Sequence, residues 1–328
     1  VTAPTQVAPP GTPARRRRRG RWTLDKISFM AVFLGVPLVI YLVFVISPFA
    51  QSIYYSLTDW SGFSSTMNFV GLRNFRALLS DDLFLRALRN NVILLIALPI
   101  FTLVVALIFA SLVTVAGSSR GQVRGLRNSG LYRVVSFFPY VIPGIVIGLI
   151  WAQIYDPSAG LLNGILTGLG FDRFESYPWL GDERTAMAAS IFAMAWGGIG
   201  FYMVLFIAAI RGIDPQYYEA MRLDGAGRFS TAIHLTLPLI RDNVQTAYIY
   251  LGIAALDGFV FMQALNPAGG PDNSTLVMGQ LLFRTAFTQG KFGYATAMGV
   301  ALAIVTLAFA ALVFTVNRLT GADKDTGR

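Results

Sequence analysis

Residues 211–240 read RGIDPQYYEAMRLDGAGRFSTAIHLTLPLI. The stretch is polar and charged, and it separates two long apolar segments. Asp214 followed by Pro215 is a helix start, with a side-chain acceptor at the N-cap and a preset φ at the first helical position. Tyr217, Ala220, Met221 and Asp224 are spaced three or four apart and share one face of that helix. Gly225 can adopt the left-handed conformation that ends a helix. A second amphipathic stretch, Arg228 to Leu237, is expected to stop at Pro238, because proline cannot continue helical hydrogen bonding. Two short helices meeting at a glycine are too polar to cross a membrane. They are expected to lie across one of its faces, within reach of a partner.

The apolar segments on either side fit that picture. The chain of 328 residues is 55% hydrophobic and only 13% charged, which sets it apart from an ordinary soluble domain. Uncharged runs cover 134–155, 185–210 and 292–317. Each reaches or exceeds the roughly 20 residues that span a bilayer. The expected fold is an all-α membrane protein with six spans, near 28–50, 91–116, 134–155, 186–210, 242–264 and 293–317.

Charge orients these spans. Residues 1–26 form a tail expected to be disordered, and Arg15 to Arg19, Arg21 and Lys26 precede the first apolar run. That run, 27–50, is longer than the apolar region of a secretory signal, about 7–15 residues, so an anchoring span is expected instead. Six spans place both termini on one side. With that side inside, and with Asp242 and Asp257 of the fifth span counted with the inner and outer ends respectively, inner segments carry 18 Lys+Arg and 7 Asp+Glu, and outer segments carry 8 and 10. The bias follows the positive-inside rule and accounts for the net charge of +9 without nucleic acid. Anionic headgroups are the expected contacts of the basic tail. The loop 211–240 then faces the cytoplasm. Outside, 72–89 has helical apolar spacing among charges and is expected to form an interfacial helix. The outer loop 156–184, acidic and punctuated by Gly and Pro, implies little regular structure.

The loop also carries a family resemblance. Glu219-Ala220-Met221, then Gly225, then Leu235-Thr236-Leu237-Pro238 resembles the Glu-Ala-Ala loop of ABC-importer permeases in every spacing. Met221 and Leu235 depart from it, both by apolar residues. NFVGLRNF (68–75), FFPYVIPGIVIGLIW (137–151), DPSAGLLN (156–163) and GGPDNST (269–275) are similar to segments of the sugar branch of these permeases. The resemblance covers roughly 28–318, and the permease domain is taken as 27–318 with a short tail, 319–328, after it. It implies the type I importer fold in a bacterial plasma membrane, with both termini cytoplasmic. It also implies a second homologous permease, a cytoplasmic ATPase dimer and an extracytoplasmic substrate-binding protein or lipoprotein. The substrate would be a mono- or oligosaccharide, with N-acetylglucosamine or chitobiose types, maltose types and glycerol phosphate all open.

The chain's chemistry fits a non-catalytic subunit. A phosphate-binding loop of the GxxxxGK[ST] type needs a lysine, and Lys26, Lys291 and Lys324 are the only lysines, none in such a motif. Gly225 to Thr231 resembles such a loop superficially but lacks the spacing and the lysine. There is no cysteine and one histidine, His234, so soft or imidazole metal sites have almost no ligands. No catalytic residue, metal site or cofactor is expected, and ATP hydrolysis falls to another subunit.

By resemblance, Glu219, Ala220, Met221, Asp224, Gly225, Leu237 and Pro238 form the coupling element. Glu219 would pair with a basic group on the ATPase, Ala220 would permit close approach, and Gly225 would set the bend. The bland alternative is a helix pair that only joins two spans. For the substrate path the candidates are Asp257, Tyr140, Phe137 and Trp151. Asp257 falls within the fifth span, where a carboxylate is expensive and usually faces the bundle interior or a wet cavity. It would meet a sugar hydroxyl, Arg284 or another chain, unless it is simply solvated near the interface. Phe137, Tyr140 and Trp151 offer faces for sugar rings, against a plain packing or interfacial-belt role. Gly197, Gly198 and Gly200 indicate close helix packing. The rival function is a secondary transporter or channel independent of an ATPase, which leaves the loop motif unexplained.

Overall fold

Prolines mark several of the places where the helices of this chain widen or bend. The structure, a computed structural model, describes residues 24–114 and 129–319. The expected tail disorder, the arginines at 15–19 and 21, most of the loop 117–133 and the terminal tail from 320 lie outside the described residues. The chain divides into two compact units, Val1–Gln51 and Ser52–Arg328. Helix α1, Leu24–Ser56, runs through that boundary.

Within the first unit α1 contains two wide π turns, Ala31–Gly35 and Leu42–Ile46. Each ends two residues before a proline, Pro37 or Pro48. Proline offers no N–H and crowds the carbonyl four residues back. The wide turn satisfies the backbone across five residues instead, as where the Ser47 N–H donates to the Leu42 carbonyl.

In the second unit, α2 covers Arg73–Leu78 and α3 covers Asp82–Thr114. The interfacial helix expected over 72–89 is therefore divided. The reason is Asp81, whose carboxylate accepts from the Leu83 and Phe84 amides at 2.9 and 3.2 Å and starts a new helix. The helix that carries the second span consequently begins at Asp82, ahead of residue 91, where the span itself is expected to start. The expected third span is also broken. Helices α4 (Ser129–Val141) and α5 (Gly144–Ile154) meet at 99°. Pro143 removes a donor and drives Ile142 out of helical geometry.

The loop 156–184 is more regular than expected. It holds α6, Leu161–Gly168, and a 3-10 turn, Asp172–Phe174, because Leu162 packs against a cluster with Tyr155 and Ala189. Next comes α7, Glu183–Arg211, started by Asp182, whose side chain accepts from the Arg184 amide at 2.9 Å. The connection to the fifth span holds α8 (Pro215–Leu223) and α9 (228–239). Helix α9 does not stop at Pro238 as expected. A π turn, Ala232–Thr236, again precedes the proline, with the Leu237 N–H donating to the Ala232 carbonyl, and the helix breaks only at Ile240. The fifth span consists of α10 (Arg241–Leu256) and α11 (Phe259–Leu265), bent by 54°. A further helix, α12 (278–288), was not expected, and α13, Phe292–Leu319, ends the described chain.

Among the described residues α1, α3, α7 and α13 are each fit by length and composition to cross a membrane, and the number rises to six where each bent pair counts as one span. No strand occurs among the described residues, only one isolated bridge between Thr58 and Phe69. The main core lies where α3, α7 and α10 meet, with Leu94, Leu98, Met203, Phe206, Leu251 and Ala255 buried. A second cluster gathers Leu78, Phe84, Leu276, Met278, Leu281 and Met298 from α2, α3, the turn before α12, α12 and α13. Glycine sets the closest approach. A Cβ on Gly200 would collide with the Ser136 carbonyl of α4, so only glycine fits there. One on Gly197 would sit 2.9 Å from Ile147 Cδ1, whereas one on Gly198 would meet Thr102 at an ordinary 3.6 Å. The glycine-packing expectation therefore holds for Gly200 and Gly197, but not for Gly198.

Candidate functional site

The connection 211–240 is built as its sequence dictates. The Asp214 carboxylate accepts from the Gln216 amide at 2.9 Å, and Pro215 takes the first helical position. At the other end of α8 Gly225 has φ +75°. The Gly225 amide donates to the Arg222 carbonyl and the Ala226 amide to that of Met221, which together close the helix C-terminus. Nothing lies within 4 Å of where a Gly225 side chain would begin, so the demand for glycine is conformational rather than steric.

The two helices are held by a residue the sequence reading passed over. Tyr218 is 4% exposed, and its hydroxyl lies 3.2 Å from Thr236 Oγ1 in α9. Burial raises the phenol pKa, and the Thr236 hydrogen bond opposes that shift. The signal was available, since Tyr218 is apolar in body and falls between the exposed positions 217 and 219. Thr231 and Ile240 of the connection are buried too, Ile240 in the same core cluster as Tyr218.

The opposite face is open. Tyr217, Glu219, Ala220 and Asp224 are exposed, Met221 is half-buried, and Leu223 is 90% exposed. Glu219 makes no ion pair or side-chain hydrogen bond among the described residues. A small side chain, an unpaired carboxylate and two bare apolar residues, Tyr217 and Leu223, form a protruding surface. Leu237 and Pro238 belong to α9, where Leu237 lines a cavity shared with α3. His234 is exposed, with Nδ1 3.0 Å from the Ser230 carbonyl one turn back, as suits an ordinary helix-surface residue.

The substrate-path candidates do not form one cluster. Tyr140 stacks on Phe201 of α7 with centroids 4.6 Å apart, and Phe137 lies 5.5 Å from Tyr140. Trp151 lies beyond the 99° bend, among Tyr155, Phe192 and Trp196, with its Nε1 buried and unbonded among the described residues. Asp257 stands at the 54° bend, exposed, as the cap of α10. It makes no ion pair with Arg284, whose Nε is buried without a partner among the described residues. The bend itself is held from α3, where Asn91 donates to the Leu256 carbonyl at 3.0 Å and accepts from the Met278 amide at 2.8 Å.

The other segments quoted from the sequence prove to be corners of the scaffold. Asn74 donates to the Ser56 and Thr58 carbonyls, both at 2.8 Å. Asp156 accepts from the Ser158 and Ala159 amides and the Ser158 hydroxyl, which lowers its pKa. Asn163 accepts from Trp179 Nε1 at 2.6 Å. Gly269, Gly270, Asp272 and Asn273 all have positive φ, and Arg86 pairs with Asp272 at 2.5 Å while Asn90 donates to the Asn273 carbonyl. No group of three His, Cys, Asp or Glu suited to a metal occurs among the described residues.

Residues 11–322 match the model of the family described as "Binding-protein-dependent transport system inner membrane component". The chain belongs to this family. The permease is 58% identical to the diacetylchitobiose uptake system permease protein NgcF of Streptomyces coelicolor, over 98% of its own length and 91% of the relative's. It is 31% identical to the multiple sugar-binding transport system permease protein MsmF of Streptococcus mutans, over 83% and 89%. Its fold matches that of a bacterial ABC transporter involved in alginate import, with TM-score 0.75 at 21% identity, over 90% of this chain and 97% of that one. The permease is thus a multi-pass membrane protein and a transport component rather than an enzyme.

Proposed function

We propose that this permease forms one half of the translocation pore of an ATP-driven importer for a neutral N-acetylated glucosamine oligosaccharide, of the diacetylchitobiose kind. It pairs with a second, similar permease, and it receives substrate from an extracytoplasmic binding protein. The high identity to a diacetylchitobiose permease over nearly the whole chain supports the substrate class. Both termini and the connection 211–240 face the cytoplasm in this reading, in line with the distribution of Lys and Arg.

Energy enters through α8. Its exposed face seats in a cleft of a separate ATPase, Glu219 meets a basic group there, and Ala220 lets the two backbones approach. The observation that carries this reading is the unpaired, exposed Glu219 on a helix whose other face is anchored through Tyr218 to α9. A rigid ridge transmits motion because packed interfaces switch between discrete arrangements. Closure of the ATPases then turns the cavity from inward- to outward-facing, and the sugar passes from the binding protein into the pore.

The test is purification of the tagged chain in mild detergent, as wild type and as Glu219→Arg, with mass spectrometry of whatever accompanies it. The expected result is an ATPase and a second six-span protein with the wild type, and loss of the ATPase in the variant. Retention of the ATPase by both removes Glu219 from the coupling role. A chain that purifies alone and transports in liposomes without ATP overturns the importer reading.

A further inference from the structure

Helices α3 and α9 flank an open groove of about 560 Å³ beside the connection. Val104, Ile108 and Leu112 face it from α3, each one helical turn from the next. Ile233 and Leu237 face it from α9 with the same spacing, so two apolar stripes form its walls. Arg228, at the start of α9, is the one charged residue of the lining. It is exposed and makes no ion pair among the described residues.

We infer that this groove holds one acyl chain of an anionic phospholipid, with Arg228 on its phosphate. Helix α3 is a membrane span, and residues 104–112 lie in its last turns before Thr114, so hydrocarbon reaches the walls from the side. An apolar slot with a single unpaired cation at its end matches a lipid, apolar over most of its length and anionic at the head. Arg211, Arg222 and Arg241 of the same connection are offset by Asp214, Glu219, Asp224 and Asp242, so the attraction rests on Arg228 itself. Basic side chains close to a membrane surface attract anionic headgroups. A protein helix in the groove would instead have to supply a carboxylate for Arg228. The consequence reaches the transporter, because one wall of the groove is α9, the helix that anchors α8. A bound lipid would brace the coupling element from the membrane side. This inference does not depend on which sugar is carried or on the role of Glu219.

The experiment is native mass spectrometry of the full chain, with any subunits that accompany it, from nanodiscs of phosphatidylcholine mixed equally with phosphatidylglycerol. The wild type is expected to retain one phosphatidylglycerol about fivefold more often than phosphatidylcholine, the discrimination of a single basic side chain near the surface. Arg228→Gln should bring the two lipids near parity, and Ile108→Trp, which fills the slot, should abolish retention of both. Unchanged melting temperatures separate these effects from misfolding. A photo-cross-linker at residue 233 should capture lipid. Equal retention of both lipids by the wild type, a preference that survives Arg228→Gln, or a cross-link to a second permease in place of lipid would each overturn the inference.

Discussion

The Tyr218 hydroxyl lies 3.2 Å from Thr236 Oγ1, a buried contact that joins the two short helices of the connection. Both residues are buried, at 4% and 2% exposure, so a lost partner leaves the other hydroxyl away from water. Tyr218→Phe is expected to cost about 1 kcal/mol, the net contribution of one buried hydrogen bond. Tyr218→Ala should cost about 3–5 kcal/mol, because a cavity is added. Hydrogen exchange over 215–239 should rise in both, more in the second. Unchanged exchange in Tyr218→Ala would show that other contacts hold the pair.

Gly225 tests backbone conformation apart from packing. Its φ of +75° is unfavourable to side chains, yet the space around it is open. Gly225→Ala should destabilise the end of α8 by about 1–2 kcal/mol. Gly225→Asn should be milder, since asparagine tolerates the left-handed region. Uptake in cells should follow the order Gly, Asn, Ala, Val. Equal uptake for Val and Gly would mean that the bend is not needed.

Two neighbouring glycines of α7 should behave oppositely. Gly200→Ala places a methyl group against the Ser136 backbone, so α4 and α7 must separate, at a cost of about 1–3 kcal/mol or more. Gly198→Ala makes an ordinary contact and should be neutral or slightly stabilising, by the roughly 0.5–1 kcal/mol that alanine gains in a helix. Yield and melting temperature in detergent should fall in the first variant only.

Asp257 is exposed and without an ion-pair partner among the described residues, so Asp257→Asn should leave thermal stability unchanged. If it meets a sugar hydroxyl, the KM for uptake should rise severalfold with expression unaltered. An unchanged KM would remove Asp257 from the path.

What the sequence revealed was local. The start at Asp214-Pro215, the stop at Gly225 and the close approach at Gly200 each depend on the backbone preferences of one or two residues. The misses have two physical causes. Charge within α3 was one, since Arg86 and Arg89 read as lying outside a span while the helix runs through them. Distance along the chain was the other. Asn91 bonds to Leu256 and Met278, and Asn90 to Asn273 and Leu276, contacts that no local pattern signals. At the candidate site, spacing put Tyr217, Ala220, Met221 and Asp224 on one face of α8, Glu219 was singled out by the family resemblance, and the buried anchor Tyr218 needed its partner in α9 to be seen. The wide turns before Pro37, Pro48 and Pro238 were legible only in part, because proline marks the trouble without saying how the backbone resolves it.

The wide turn in α9 also sets a phase. A π turn holds one residue more than a regular helix would use, and each residue advances the helix by about 100°. The residues of α9 that follow the turn, Leu237 to Leu239, are thereby rotated relative to Arg228. Deleting one residue between 232 and 236 would leave the composition of the loop almost untouched, yet turn Leu237 away from the groove it shares with α3. The end of the connection thus owes its orientation to a count of residues, while the break at Ile240 keeps that count from being carried rigidly into α10.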